Sequence, residues 1–164
     1  MRLTSYSNYS MRVLMVAAAR GPRLTTIQEV ADAFDISRAH LVKCVHHLGS
    51  RGYLETVRGN RGGFRLARPA AEIGVGAVMR DTEEGFSLVE CFDPVSNTCR
   101  LIESCRLRVT LHRAAAAFLA VLDEVTLADL IADRAPILSL IDRHRAAVAC
   151  SVADRAPVRR SDPV

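Results

Sequence analysis

Three of the chain's five cysteines fall within fifteen residues, CFDPVSNTCRLIESC over 91–105. Cysteine thiolates ligate soft metals, pair as disulfides or act as nucleophiles. The opening residues, MRLTSYSNYSMRVL, alternate polar and apolar at helical spacing and hold no apolar run of the secretory kind. The longest apolar stretch, AAAAFLAVL over 114–122, is too short to span a bilayer. A soluble, cytoplasmic chain with no membrane partner is therefore expected, and in that compartment thiols stay reduced. An odd number of them also cannot pair off. Metal ligation is the leading reading of Cys91, Cys99 and Cys105. At C-x7-C-x5-C spacing three thiolates can converge on one centre if the loop folds around it, and zinc and iron–sulfur clusters both accept them. Structural zinc favours paired ligands at C-x2-4-C spacing, which is absent, so the spacing favours a cluster. His112 is the nearest histidine for a fourth zinc ligand, but beside Arg113 on a helix it reads as a solvated residue. An enzyme is not expected. The chain has no C-x-x-C pair, phosphate-binding glycine motif, metalloprotease helix or nucleophile elbow.

The elements around this segment predict a DNA reader. The net charge of +4 is unevenly spread: residues 1–68 hold 11 Lys and Arg against 4 Asp and Glu, and the remainder is mildly acidic. A basic front half suits a polyanion. Residues 6–19 have helical periodicity and end at GPR (21–23). Thr26 and Glu29 form a capping box for a helix over 27–34. DIS is a short turn in which Ser37 is expected to cap a third helix, RAHLVKCVHHLGSRG. Counted from Ile27, the apolar residues Val30, Phe34, Ile36 and Leu41, with Ala31 at the closest approach, match helix-turn-helix spacing. Asp35 stands at the turn position where glycine is common, and aspartate tolerates a left-handed backbone better than most residues. Cys44 falls on the inward face and reads as a core thiol.

GYLETVRGNRGGFRLARP (52–69) predicts a β-hairpin with a glycine-rich turn, a wing carrying Arg58, Arg61 and Arg65 at its tip. A short helix over 71–84 is expected despite two glycines, then a loop through the cysteines. RLRVTLHRAAAAFLAVLDEV (106–125) predicts a long helix with Leu107, Leu111, Ala114, Phe118, Leu122 and Val125 on one stripe, suited to packing on a second subunit. TLADLIADRAP adds a short helix. The polar, Pro-containing tail from about 150 is expected to be disordered, and Cys150 at its edge has no assigned role. The fold class is mostly α with a small β-hairpin wing: a winged helix-turn-helix plus a long dimerisation helix. The divisions are a DNA-binding domain (1–69), a connecting helix and linker (70–90), the cysteine loop (91–105), the dimerisation helix region (106–133) and a C-terminal extension (134–164).

This order of parts resembles the Rrf-type (type two) winged-helix regulators, which are dimeric, cluster-binding transcription factors. The likeness covers residues 1 to about 133. It rests most on MRLTSYSNYSMRVLM, on SRAHLVKCVHHLGSRGYLETVRGNRGGFRLARP, and on LVECF, Cys99, CRL and AFLAVLDEVTLADL. The last set is most similar to the nitric-oxide-sensitive repressor branch. In that branch Cys91, Cys99 and Cys105 would hold the iron–sulfur cluster (4Fe–4S or 2Fe–2S). Several members place an aspartate at the position of Asn8, reaching from the partner subunit as the fourth ligand; Asn8 offers only a neutral amide oxygen. The cluster-biogenesis branch has a histidine where this chain has Arg108. The iron-responsive branch shares the cysteine layout and is the alternative, followed by a zinc-stabilised DNA-binding protein without sensing. The resemblance implies a homodimeric repressor that sets two recognition helices into successive major grooves of a palindromic double-stranded operator. Ser37, Arg38, His40, Lys43 and His47 would lie on or near the recognition helix, with Arg61 of the wing entering the minor groove. Reaction of the cluster with nitric oxide would release the operator.

Overall fold

The computed structural model describes residues 3–143 apart from 60, 84, 87 and 94. The expected C-terminal disorder and Cys150 lie outside the described residues. Helix α1 (Ser5–Arg20) starts where the Thr4 hydroxyl accepts the Ser7 N–H, and stops at Gly21, whose φ of 64° ends the helix. One face of α1, with Val13, Leu14, Val16 and Ala17, is fully buried.

Helix α2 (Ile27–Phe34) has the expected capping box. Glu29 N–H donates to Thr26 Oγ1 (3.2 Å), and the Glu29 carboxylate accepts the Thr26 N–H (2.8 Å). Burial pushes the Glu29 carboxyl up, but the Thr26 N–H and the Arg20 guanidinium outweigh it and hold the group below its ordinary value. The turn to α3 (Arg38–Ser50) passes through Asp35 in the left-handed region, φ 51° and ψ 50°. Ser37 departs from expectation. It occupies the N-cap position, but its hydroxyl caps nothing; its carbonyl accepts the His40 and Leu41 N–H groups instead. The inward face of α3, Leu41, Cys44, Val45 and Leu48, packs against α1 and α2.

Strands β1 (Leu54–Val57) and β2 (Gly63–Leu66) pair antiparallel, from Leu54 opposite Leu66 to Val57 opposite Gly63. Thr25 extends the ribbon by exchanging both backbone bonds with Phe64 (2.9 and 2.8 Å), which fixes the wing's base to the segment before α2. Phe64 is the largest fully buried side chain among the described residues.

The segment expected as one helix over 71–84 is broken in two. A 3-10 turn (Ala70–Glu72) comes first, then Ile73 and Gly74 run extended, and α4 (Val75–Thr82) follows. Gly74 forms a bridge with Thr126, which draws this stretch away from helical geometry. Helix α5 (Arg106–Asp123) runs back, and α6 (Leu127–Leu130) follows a second capping box, Thr126 with Asp129. At the base of α4 and α5 two backbone bonds cross, Val75 N–H to Val125 C=O (2.9 Å) and Leu127 N–H to Ile73 C=O (2.8 Å). Gly76 permits the approach, because a Cβ there would meet Asp123. Helical backbone over 135–143 ends the described part, with Ile141 buried. One hydrophobic core takes in residues of α1, α2, α3, the hairpin and α4, together with Leu127 and Ile141.

Candidate DNA-binding face and cysteine loop

On α3, Arg38, His40 and Lys43 are exposed, as the helical period requires once Leu41 and Cys44 turn inward. Tyr9 of α1 stacks on His40 with ring centroids 6.1 Å apart, and the two lie along an open groove with Ser5, Tyr6 and Lys43. Arg38 borders a second groove between α3, the start of α2 and the wing turn. Ser37 is exposed with its hydroxyl uncommitted beside Arg38. Arg58 and Arg61 lie exposed on the turn of the hairpin.

Two of the expected contact residues are held by neighbours. Arg65 is not at the wing tip. It lies inside β2 opposite Glu55, which grips its guanidinium with two bonds (3.0 and 3.1 Å). Cross-strand register, with opposite charges on one face, accounts for that placement. His47 is half-buried on the third turn of α3. Its Nδ1 lies 2.6 Å from the Tyr6 hydroxyl, and its Nε2 accepts Arg51 Nε–H (3.3 Å). Both ring nitrogens are engaged, Nδ1 joining α3 to α1 and Nε2 closing on the C-terminal end of α3. Sequence reasoning missed Tyr6 and Tyr9 as the supports of this face. Their i, i+3 spacing, which puts both on one face of α1, is the signal that could have found them.

Cys44 is buried, and burial pushes its thiol up, which keeps it a protonated core residue. Cys91, Cys99 and Cys105 are half-buried and unpaired. Cys91 lies in a 3-10 turn (Glu90–Phe92). The next turn is ordered by Asp93, which accepts the Ser96 hydroxyl (2.6 Å) and the Val95 N–H (2.9 Å); these bonds hold its carboxyl below the usual range. Cys99 N–H donates to Asn97 Oδ1 (3.1 Å), and the Thr98 hydroxyl reaches back to Glu90 (3.1 Å). Cys105 is the N-cap of α5, and its sulfur accepts the Arg108 N–H at 3.4 Å.

His112 is exposed, as expected, but not idle. It stacks flat on Phe92 with centroids 3.8 Å apart and planes 7° from parallel, which clamps the Cys91 turn to α5. Both ends of the loop are thus held on the first half of one helix. The three sulfurs are not drawn together: among the described residues no three Cys, His, Asp or Glu side chains form a group that could hold a metal ion. Thiolates repel one another, and a bound cation supplies the energy that gathers them. The donor set suits a soft, anion-tolerant centre: three free thiols, one at a helix N-terminus, and an Arg108 Nε buried with no hydrogen-bond partner. Asn8 is exposed on α1.

Residues 3–133 match the model of the Rrf2 family, described as iron-dependent transcriptional regulators. The chain belongs to the Rrf2 family. The chain is 52% identical over 146 residues to the HTH-type transcriptional regulator NsrR of Geobacillus kaustophilus, covering 88% of this chain and 99% of the relative. Identity to the NsrR of Bacillus subtilis is 44% over 142 residues, or 86% and 97% of the two chains. Among solved structures, that of CymR, the global cysteine regulator of B. subtilis, superposes with a TM-score of 0.63 at 25% identity, over 79% of this chain and 95% of that one. The winged-helix fold expected from the sequence is thereby established, and the chain is a transcriptional regulator of the NsrR type. No helix among the described residues is long and apolar enough to cross a membrane.

Proposed function

We propose that this Rrf2 regulator is a cytoplasmic, homodimeric repressor that binds an iron–sulfur cluster through Cys91, Cys99 and Cys105 and releases operator DNA in response to nitric oxide. The observation that carries the reading is the placement of three free cysteines on a loop clamped to the N-terminal half of α5, in a chain 52% identical to an NsrR. When bound, the cluster supplies iron atoms that react with nitric oxide and loosen their thiolate ligands.

The chain's own residues do the rest. Cys105 caps α5, so a change in its bonding acts on the first turn of that helix. Phe92 on His112 ties Cys91 to the next turns. At the far end of α5, Asp123 holds Arg80 of α4 with two bonds of 2.6 Å, and Thr4 at the start of α1 donates to Glu83 just after α4 (2.8 Å). A movement of α5 therefore reaches α4 and α1, the helix on which α3 packs. Arg38, His40 and Lys43, with Ser37 beside them, face base edges and phosphates, and Arg58 and Arg61 extend the contact from the wing. Asn8 is the candidate fourth ligand across the dimer, held loosely because an amide oxygen brings no charge to iron.

The test is the anaerobic absorbance spectrum with iron and sulfide analysis. Brown protein with acid-labile sulfide is expected, bleached by Ala at Cys91, Cys99 or Cys105 and unaffected by Cys44→Ala. Colourless protein with stoichiometric zinc would overturn the cluster reading. The family description as iron-dependent favours a second signal, iron itself. Titrating holo-protein on operator DNA separates the two. Release at a few nitric oxide molecules per cluster with slow response to a chelator supports nitric oxide sensing; fast release by chelator alone, with binding intact after nitric oxide, assigns the protein to iron sensing.

A further inference from the structure

Arg108 combines two features found together nowhere else among the described residues. Its Nε is buried without a hydrogen-bond partner, and its backbone N–H donates to the sulfur of Cys105, one helical turn away. The other buried side-chain atoms without partners are the hydroxyls of Ser10 and Thr25, which carry no charge. A guanidinium differs in kind. It only donates, and a buried Nε–H is costly unless an acceptor answers it. No carboxylate does so among the described residues, where the ion pairs join Arg20, Arg51, Arg65 and Arg80 to their acids. Two acids of the adjoining loop are engaged otherwise, Asp93 by Ser96 and Glu90 by Thr98.

We infer that Arg108 is a positioning residue, whose Nε–H donates to the anionic sulfur of a metal centre held by Cys91, Cys99 and Cys105. The inference rests on the cluster reading above and adds to it a residue that touches sulfur, not iron. Guanidinium does not ligate iron, but an N–H to a thiolate or sulfide offsets the charge collected there and fixes the direction of the sulfur. Position supports this. Arg108 shares the first turn of α5 with Cys105, so one turn of helix presents both a ligand and a donor without help from the rest of the cysteine loop.

The experiment compares full-length holo-protein, purified anaerobically, as wild type, Arg108→Met and Arg108→Lys. Methionine keeps a long apolar stem, so any role in packing alone is preserved, and lysine restores the charge. The readouts are the iron–sulfur stretching bands in the resonance Raman spectrum and the rate at which iron passes to a strong chelator. Arg108→Met is expected to shift the bands and to lose iron about 10-fold faster or more, the usual effect of removing an outer-shell partner. Arg108→Lys should recover part of both. Unshifted bands and wild-type iron loss in Arg108→Met would overturn the inference while leaving the cluster reading standing. Colourless wild-type protein would overturn both, through the earlier reading. If Arg108→Met purifies without iron, retention in Arg108→Lys with equal helix content by circular dichroism supports the inference. Loss of helix content in both variants would make Arg108 a structural residue and overturn it.

Discussion

Gly62→Ala isolates the wing from the rest of the molecule. A Cβ at Gly62 would fall against the carbonyl oxygen of Val57, 2.9 Å from that of Gly59 and 3.0 Å from the carbonyl carbon of Arg58. All three are backbone atoms, so no side chain can swing aside. The turn, closed by Gly62 N–H on Gly59 C=O at 2.9 Å, has to open, and the Val57–Gly63 pair at the end of the ribbon opens with it. Overpacking of this kind costs about 1–3 kcal/mol. Because Thr25 clamps Phe64 independently, the damage stays at the tip and the core is spared. DNA then has to pull the turn back into shape. The same 1–3 kcal/mol appears as roughly a 5- to 150-fold rise in Kd. That range matches the effect expected of Arg61→Ala, about 1–3 kcal/mol for an arginine that reads a groove. Fluorescence anisotropy with an operator duplex over a salt series measures it. Wing phosphate contacts should also vanish from the salt dependence, lowering the slope by about one per contact. An unchanged Kd in Gly62→Ala, with circular dichroism confirming a folded protein, would refute a wing that touches DNA.

Two further outcomes follow from named contacts. Thr26→Ala removes the cap of α2 and should cost about 1 kcal/mol in urea unfolding. The partner Glu29 has a folded-state carboxyl held below its unfolded value, so its contribution is present above about pH 4.3 and is lost as pH falls through the lower folded value; Glu29→Gln should flatten that acid limb, and an unaltered pH profile would remove Glu29 from it. On α5, Leu107 and Val121 lie on one side of the helix and are each 62% exposed. Leu107→Glu should shift sedimentation toward monomer at equal helix content, and a wild-type monomer would show that this stripe covers no second subunit.

Local chemistry made much of the reader legible. The capping box at Thr26 and Glu29, the left-handed Asp35 and the inward Leu41 and Cys44 are short-range consequences of residue type, and they placed α2 with its observed bounds. What failed depended on neighbours distant in sequence. The 71–84 helix broke because Thr126 pairs with Gly74, which no local pattern announces. His47, expected exposed, is half-buried because Tyr6, 41 residues away, takes its Nδ1. Arg65 falls inside β2, not at the tip, because the strand already begins at Gly63 and sets it across from Glu55. The cysteines were visible by type and spacing, but the clamps that hold their loop, Phe92 on His112 and Cys105 capping Arg108, were not. On one stripe of α5 the expected seam splits: Phe118 meets Phe86 and Leu122 joins the core, while Leu107 is left to solvent.

The crossed bonds between Ile73 and Leu127 and between Val75 and Val125 divide the chain unusually. Between them α4 stays packed on α1, while the cysteine loop and α5 run out from its end and come back to a closed neck. Such a neck makes the insert's length nearly a free variable. Doubling a loop adds only about 0.6 kcal/mol of closure entropy once its ends are fixed. The length of the cysteine loop is therefore weakly constrained by the closure of the neck itself. An engineer could use this, grafting another responsive loop between residues 83 and 105 and keeping the neck and the winged helix as they stand.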